Sequence, residues 1–363
     1  MRRHRSRCEG SHRLRGLGVR AAAWPSRGLA ARHRRSWTAI AGRACAAGAG
    51  DIARACARGG GCSVNVVVGV DAGGSKTLAV AAGDGRQVGR AQRGSANATS
   101  LGIETAVATI LDAVREAAAG CEVDAICVGA AGASRRGVAF PIRQALVKAY
   151  PAAQVRIVDD AAIALRAGVA DGPAVVVIAG TGSIGYAEDA QGQGHRAGGL
   201  GWLIGDEGSG YAVGLAALRE AAKALDGRGE AQGLLELVRE QLPATDREEL
   251  LSSVYTRSGA HLETARVAAL AEGVLRLAAQ GDRFAAAIVE QAAADLGALA
   301  LYAARAAGLS GSALHVVLAG GMLRGETPFT ALVQQRVERA LPGASAQVLS
   351  REPVEGALVL ARR

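Results

Sequence analysis

Hydrophobic positions show no regular spacing before Val64 and a clear pattern after it. Residues 64–71 form an apolar run that is typical of a buried strand, and a glycine-rich bend and a second apolar run follow, which predicts a hairpin. Residues 102–120 carry apolar side chains on one helical face. The pattern also predicts a strand with a glycine bend at 123–134 and a strand that continues into a helix at 156–168.

The second half of the chain repeats this order of elements. Residues 173–193 predict a strand, a bend and another strand, and 313–325 predict a strand with a double-glycine bend. Helical patterns lie between them, at 208–225, 263–279 and 282–307. We therefore predict an α/β fold with two similar lobes around a central cleft. The lobes are expected to span 64–172 and 173–351, and a terminal helix at 352–363 is expected to pack back on the first lobe.

The positive charge of the chain is concentrated at its beginning. Residues 1–62 hold fourteen arginines and only two acids, Glu9 and Asp51, so they carry a net charge of +12. The whole chain carries +9, so the remainder is mildly acidic at −3 and gives no support to a nucleic-acid-binding protein. Without hydrophobic periodicity, residues 1–63 are predicted to be a disordered extension added by a mis-assigned start. A targeting segment and an RNA-binding arm are the alternatives.

Composition excludes two further classes of protein. No uninterrupted run of 18 apolar residues occurs, so we expect no membrane-spanning segment. Six cysteines in 363 residues do not make a disulfide scaffold. Half of the residues are hydrophobic, which is enough for a sizeable core. The sequence therefore predicts a globular protein, and the glycine-rich bends are its candidate functional segments.

Two of these bends imitate well-known nucleotide-binding motifs. Residues 69–77 resemble a Walker A loop, but Ser75 separates the glycine from Lys76 and an apolar strand follows instead of a helix. Residues 180–185 match G-x-G-x-x-G, but a dinucleotide site needs that turn to open a helix, and here a strand follows. Neither motif has the structural context that its chemistry requires.

The alternative is a pair of phosphate-binding hairpins, one in each lobe. Backbone N–H groups in a glycine-rich bend point at an anion, and hydroxyl and ammonium groups beside them add donors. Asp71 is a candidate to hold Mg²⁺, directly or through water. The residues predicted to bind phosphate are Asp71, Gly73, Gly74, Ser75, Lys76, Thr77, Gly180, Thr181, Gly182, Ser183, Gly320 and Gly321. The competing interpretation is that small residues serve only to pack the hairpins tightly.

Several segments of the sequence resemble those of a known family. The segments VVGVDAGGSKT, VIAGTGSIGY and VVLAGGM are similar to the two phosphate motifs and the adenosine motif of the superfamily of sugar kinases, Hsp70 chaperones and actin. The segments GSANATSLG, IVDDAA, GGLGWLIGDEGSGY and VEGALVLA resemble, in the same order, the N-acetylglucosamine and glucosamine kinases of the BadF/BadG/BcrA/BcrD group. The resemblance covers residues 64–363 and implies two ribonuclease-H-like lobes that form an actin-like ATPase domain.

A sugar kinase needs one carboxylate to accept the proton of the attacking hydroxyl. Asp160 is the candidate, because it ends a predicted strand and matches the family's general base, the aspartate before Ala-Ala. We also expect Asp160 to be the N-cap of the helix that follows, and capping alone is its alternative role. Asp159 is assigned a structural role.

The resemblance also implies an acceptor site, ATP and Mg²⁺ as cofactors, and an amino sugar as substrate. Residues that match the family's sugar-binding segments are Asn97, Ala98, Asp160, Gly201, Trp202, Asp206 and Glu207. The family often has tryptophan where this chain has Leu200, but its GDEGS segment has the form found in N-acetylglucosamine kinases, with glucosamine as the alternative acceptor. We further expect a cytoplasmic homodimer with no nucleic-acid or membrane partner.

Two other functions fit the same fold less well. An ATPase activator of a 2-hydroxyacyl-CoA dehydratase would need cysteines to bridge an iron–sulfur cluster. Only Cys121 and Cys127 lie outside the basic segment, and neither is in a glycine bend. A sugar-sensing regulator usually adds a winged-helix DNA-binding domain, and residues 1–62 are too irregular for one.

Overall fold

The computed structural model describes residues 66–255, 263–310 and 313–363. The predicted extension 1–63 therefore lies outside the described residues. The described part of the chain contains two five-stranded sheets with the same layout, and helices pack on their faces. This arrangement confirms the predicted duplicated α/β fold.

The first sheet has the strand order β3-β2-β1-β4-β5. Its strands are β1 (Val66–Ala72), β2 (Thr77–Gly83), β3 (Arg86–Arg93), β4 (Val123–Ala130) and β5 (Gln154–Asp159). β1 and β2 form the predicted antiparallel hairpin, whereas β1, β4 and β5 are parallel. The hydrophobic pattern does not predict β3. This edge strand buries Val88 and Ala91, three residues apart, and a register shift between Ala81 and Ala82 of β2 interrupts the two-residue alternation.

The second sheet repeats this layout in the order β10-β9-β6-β7-β8. Its strands are β6 (Ala174–Ala179), β7 (Ser183–Glu188), β8 (Gly194–Gly198), β9 (His315–Ala319) and β10 (Ser345–Val348). β6, β7 and β8 form an antiparallel meander, and β6, β9 and β10 are parallel. The pattern misses β8 and β10 because these edge strands are short and mostly polar or small.

Helices connect the strands and cover the sheets. They are α1 (Ala98–Leu101), α2 (Ile103–Ala118), α3 (Ala139–Ala149), α4 (Asp160–Gly168), α5 (Gly210–Leu225), α6 (Gln232–Gln241), α7 (Arg247–Val254), α8 (Thr264–Ala279), α9 (Arg283–Ala306), α10 (Pro328–Ala340) and α11 (Pro353–Ala361). α9 is the one helix in the described ranges that is long and apolar enough to cross a membrane. In this structure Leu296 and Ala300 of α9 belong to the largest core cluster, with Val177 of the second sheet.

Two helices, α4 and α11, connect the halves of the molecule. Leu165 of α4 packs in one cluster with Val176 and Val317 of the second sheet. Ile163, on another side of the same helix, packs with Cys127 of the first sheet. α11 packs along α4 and against β1. The helix that begins with the two adjacent aspartates therefore contacts both sheets.

The contact between α4 and α11 depends on Gly356. A Cβ atom at this position would lie 1.9 Å from the carbonyl oxygen of Ile163. We expect Gly356→Ala to lower the free energy of unfolding by about 1–3 kcal/mol, because the added methyl group forces the two helices apart. Denaturant unfolding measures this. Gly94→Ala is the control, since a Cβ atom at Gly94 would meet nothing within 4 Å. Equal unfolding midpoints for Gly356→Ala and the unchanged protein would contradict the prediction.

Candidate active site

A tight glycine turn joins β6 to β7. The N–H of Gly180 donates to the carbonyl oxygen of Gly182 at 2.8 Å. The first residues of α5 are hydrogen-bonded to the turn. The N–H of Gly210 donates to the Gly180 carbonyl at 2.8 Å, and the N–H of Tyr211 donates to the Thr181 carbonyl at 3.2 Å. These bonds fix the turn and leave Thr181 exposed.

A second glycine turn, after β9, lies beside the first. Gly320 has a φ of 98°, and a Cβ atom there would lie 2.2 Å from the carbonyl oxygen of Ala179. No other residue type fits this position without moving the backbone of β6. A Cβ atom on Gly180 would lie 3.8 Å from the N atom of Gly321, so the two turns are in contact.

One large cavity of about 820 Å³ opens on this pair of turns; we call it the helical cavity. α8, α9 and the first turn of α10 form its walls, with many alanine side chains such as Ala265 and Ala268. Gly180, Thr181 and Gly321 form its end at the turns. The cavity is therefore largely apolar along its walls and lined by glycine-rich backbone at one end.

A second cavity, of about 580 Å³, lies on the other side of the turn between β6 and β7; we call it the carboxylate cavity. It also contains Gly180 and Thr181, so the two cavities meet at this turn. Its charged residues are Asp160 and Arg135 from the first half and Arg196 and Asp206 from the second. The cavity therefore lies between the two sheets and takes functional groups from both.

The structure corrects the predicted helix cap. Asp159, and not Asp160, is the N-cap of α4: its Oδ1 accepts a hydrogen bond from the N–H of Ala161 at 3.2 Å. Asp160 is the first residue of the helix, and its Oδ1 also accepts from the same N–H, at 3.0 Å. Asp159 is thus the cap residue, whereas Asp160 takes part in the first turn of the helix and lines the carboxylate cavity.

The environment of Asp160 favours its protonated form. Burial, a hydrogen bond with Asp159 and the negative charges of Asp159 and Asp71 together raise the pKa of Asp160 to about 7, and the positive charge of Arg196 acts in the opposite direction. A carboxylate with a pKa near neutrality is a better proton acceptor than an ordinary aspartate. The raised pKa fits the predicted role of Asp160 as general base, which stays a prediction.

Asp71 is the third carboxylate of this region and lies in β1. Burial raises its pKa to about 6, while the charge of Lys76 lowers this pKa and that of Glu352 raises it. Nowhere in the described ranges do three or more His, Cys, Asp or Glu side chains converge as a metal site. A single carboxylate nevertheless fits Mg²⁺, which keeps several water ligands and is bound in kinases through one or two carboxylates and substrate phosphates.

Asp206 lies against the turn between β6 and β7. A Cβ atom on Gly182 would lie 2.7 Å from its Oδ2. Burial raises the pKa of Asp206, and the nearby charge of Glu207 also raises it. Hydrogen bonds from the N–H groups of Ser183 and Gly201 lower this pKa. The hydrogen bonds hold the carboxylate in place at the wall of the carboxylate cavity.

Most residues predicted from the sequence lie at the two cavities. Those that line one or both are Gly74, Ser75, Asn97, Asp160, Gly180, Thr181, Gly182, Ser183, Gly201, Asp206 and Gly321. Gly73 and Lys76 close the first bend, through a hydrogen bond from the Gly73 N–H to the Lys76 carbonyl at 3.1 Å. The structure thus brings both predicted phosphate hairpins to one place.

Five predicted residues have contacts or surroundings that differ from the prediction, and Asp71 lines neither cavity. Thr77 is fully buried in β2, where its hydroxyl has no hydrogen-bond partner, so it does not reach a ligand. The Ser183 hydroxyl donates to the Glu207 carbonyl at 2.6 Å and supports a loop instead of offering a donor to phosphate. The side chain of Glu207 is exposed, and Ala98 and Trp202 are absent from the lining of the carboxylate cavity.

Trp202 is neither a wall of the carboxylate cavity nor a core residue. It is 39% exposed, and its ring packs edge-on against Tyr211 with 5.6 Å between the ring centroids. Leu200, at the position where the family often has tryptophan, is also exposed. The prediction that an aromatic ring covers a face of the sugar therefore has no support in this structure.

Arg135 and Arg196 are the charged cavity residues that the motifs do not identify. Arg135 follows β4 in a glycine-rich loop, and Arg196 precedes the glycines of the 198–205 segment. An arginine beside glycine-rich sequence is too common to carry a prediction. The packing of one half against the other brings Arg196 beside Asp160, whereas Arg135 reaches the cavity from the same half as Asp160.

Comparison with known proteins agrees with this geometry. The chain is 33% identical over 236 residues to the N-acetylmuramic acid/N-acetylglucosamine kinase of Clostridium acetobutylicum, covering 63% of this chain and 76% of that one. It is 28% identical to the N-acetyl-D-glucosamine kinase of Dictyostelium discoideum over 82% of this chain and 98% of that one. A crystal structure from Chromobacterium violaceum, whose description gives N-acetylglucosamine kinase as a candidate function, has a TM-score of 0.63 and 25% identity, covering 83% of this chain and 100% of that one.

A family model matches nearly all of the described chain. It covers residues 68–361 and describes ATPases, which agrees with two phosphate hairpins meeting at one cleft and implies the use of ATP. The match includes both sheets, the two aspartates at the start of α4 and the C-terminal helix α11. The chain therefore belongs to the BadF/BadG/BcrA/BcrD ATPase family.

Proposed function

We propose that this protein is a sugar kinase that transfers the γ-phosphoryl group of ATP to the 6-hydroxyl of N-acetylglucosamine. The observation that carries the proposal is the turn at Gly180 and Thr181, which forms part of both cavities. A nucleotide in the helical cavity and a sugar in the carboxylate cavity would meet at this turn. Asp160 lies on the sugar side of it.

The donor side of the site supports nucleotide binding. A volume of about 820 Å³ is within the range of about 300–1,000 Å³ that is usual for small-molecule sites. The apolar walls suit a base and ribose, and the turns that contain Thr181 and Gly321 supply backbone N–H groups for phosphates. Mg²⁺ held through Asp71 would neutralise charge on the transferred phosphoryl group.

On the acceptor side, each polar residue has a distinct task. Asp160 accepts the proton from the 6-hydroxyl as the oxygen attacks the γ-phosphorus. A bond forms between that oxygen and phosphorus, the bond from phosphorus to the bridging oxygen of ADP breaks, and ADP leaves with the electron pair. Asn97 and Asp206 line the same cavity and would bind other hydroxyl groups of the sugar.

The choice of an N-acetylated sugar is supported by the names of the relatives. Two relatives are named as N-acetylglucosamine kinases, of which one also acts on N-acetylmuramic acid by name. A third, the glucosamine kinase of Vibrio cholerae, is 32% identical over 172 residues, covering 45% of this chain and 57% of that one. Glucosamine is therefore the second candidate acceptor.

Release of ADP from Mg·ATP tests the proposal directly. N-acetylglucosamine, glucosamine, N-acetylmannosamine and glucose are compared as acceptors by their kcat/KM values. The proposal expects the highest value for N-acetylglucosamine. A higher value for glucosamine would change the acceptor and keep the reaction. The absence of sugar-dependent ADP release with all four sugars would overturn the proposal.

The pKa of Asp160 predicts how this activity depends on pH. The base works only when it is deprotonated, so kcat/KM for the sugar should fall as the pH falls through about 7, by about tenfold for each pH unit below it. We expect the value above pH 8 to be constant. Far-UV circular dichroism at each pH is the control for unfolding. A kcat/KM that is constant down to pH 5 would contradict the assignment of Asp160.

A further inference from the structure

Arg196 connects the two halves of the molecule at the adjacent aspartates. It lies on β8, the edge strand of the second sheet, opposite Tyr186. Its Nη2 lies 3.0 Å from Oδ2 and 3.2 Å from Oδ1 of Asp159, in the first half. Its Nη1 donates to the hydroxyl of Ser134, also in the first half. The guanidinium therefore crosses the cleft at the carboxylate cavity, which it also lines.

Asp159 needs this cation because of where it lies. Its side chain is 8% exposed, it caps α4, and it is hydrogen-bonded to Asp160. Whenever Asp160 is ionised, a second negative charge lies beside Asp159, and the charge of Asp159 raises the pKa of both Asp160 and the neighbouring Tyr186. Within the described ranges, the ion pair of Asp159 is with Arg196. A buried carboxylate next to a second one is costly unless a cation compensates it.

We propose that Arg196 is a positioning residue: by clamping Asp159 from across the cleft, it holds the first turn of α4, and with it Asp160, against the turn between β6 and β7. The proposal rests on the proposed function, because it assigns a task in phosphoryl transfer. Asp160 belongs to the first half, whereas Thr181 belongs to the second. A contact that spans the cleft at the catalytic carboxylate sets the distance between base and phosphate.

The competing interpretation is that the ion pair only adds stability. That interpretation predicts a less stable variant, because removing Arg196 leaves the buried carboxylate of Asp159 without its cation, and it predicts an unchanged kcat for the folded enzyme. A misplaced base is different in kind, because a displacement of about 1 Å of a reacting group can lower a rate about 10²-fold. The two interpretations therefore predict different kinetic parameters, and not only different stabilities.

Steady-state kinetics of Arg196→Met and Arg196→Lys test the proposal. Arg196→Met should lower kcat at least about tenfold and change KM for ATP less than about twofold, because the nucleotide cavity is not touched. Arg196→Lys should recover part of kcat, since an ammonium can still pair with Asp159 but cannot also form the second contact, to Ser134. A kcat within twofold of the unchanged protein for Arg196→Met would overturn the proposal.

A double-mutant cycle tests whether Arg196 acts through Asp159. Asp159→Asn keeps an oxygen for the cap and removes the charge. In that background, Arg196→Met should lower kcat less than about threefold. Equal losses in both backgrounds would show that the two residues act independently and would overturn the proposal. If Arg196→Met does not fold, the same comparison is made with Arg196→Lys.

Arg93→Met is the matched control, because Arg93 pairs with Glu116 and lines neither cavity. Its kcat should equal that of the unchanged protein. If no sugar is phosphorylated by the unchanged protein, the proposed function fails on its own. The cycle is then measured on ATP hydrolysis, in which Asp160 would accept the proton of water; equal losses in both backgrounds would again overturn the role of Arg196.

Discussion

Asp160→Asn is expected to lower kcat by about 10²–10⁴-fold, the contribution that a general base makes to proton transfer. The amide has the same size, so the fold should survive, but it cannot accept the proton of the sugar hydroxyl. Asp159 caps α4, and the amide oxygen introduced by Asp160→Asn can still accept a hydrogen bond from the N–H of Ala161. KM for the sugar should change less than kcat, because the amide oxygen can still accept a hydrogen bond. Steady-state kinetics with N-acetylglucosamine measure both parameters.

Asp159→Asn is the matched control for this experiment. It makes the same chemical change one residue away and keeps an oxygen as a cap for the N–H of Ala161, although it removes the charge that pairs with Arg196. Its kcat should fall far less than that of Asp160→Asn. If Asp160→Asn retains more than about a tenth of kcat while Asp159→Asn is inactive, the base is Asp159 and our assignment is wrong.

The parts of the site that the sequence predicts are those that local geometry determines. A bend such as 180–182 needs small residues wherever the chain turns sharply beside a ligand, and the strands on both sides show their pattern clearly. The backbone at Gly320 has no room for a side chain, which is why the double glycine appears in the sequence at all. Such constraints act within a few residues and remain visible in one sequence.

Contacts between distant segments are not visible in this way. Arg196 and Asp159 are 37 residues apart and belong to different sheets, so their ion pair depends on how the two halves pack. The same reason explains why the sequence predicts Thr77 as a phosphate-binding residue although its side chain is buried. A threonine after a glycine bend is compatible with a phosphate donor, but the register of β2 opposite Ala72 places its side chain in the core.

The remaining expectations concern surfaces and compartments. A homodimer, a cytoplasmic location and the absence of nucleic-acid or membrane partners stay predictions, as does the boundary of the lobes at residue 172. The division into lobes is supported by the sheets, since the first ends with β5 and the second begins with β6. α4 lies between these strands in sequence and packs on both sheets.

Asp71→Asn is expected to lower kcat by about 10²-fold, because stabilisation of phosphoryl charge by a bound metal ion contributes several kcal/mol to the transition state. The same substitution is also expected to change the stability of the folded protein. Burial raises the pKa of Asp71 to about 6, so the ionised carboxylate destabilises the folded protein above that pH, and an amide removes this penalty. We therefore expect the melting temperature at pH 8 without nucleotide to be unchanged or higher while activity is lost.

The dependence of the rate on Mg²⁺ concentration separates a metal role from simple damage to the site. Asp71→Asn should need more Mg²⁺ for half-maximal activity, whereas KM for the sugar should stay within about twofold. Asp84→Asn is the control, because Asp84 lies in the turn between β2 and β3, at the opposite end of β2, and asparagine tolerates its positive φ of 50°. If Asp71→Asn leaves the Mg²⁺ dependence unchanged and raises KM for the sugar instead, Asp71 belongs to the acceptor site and does not hold the metal.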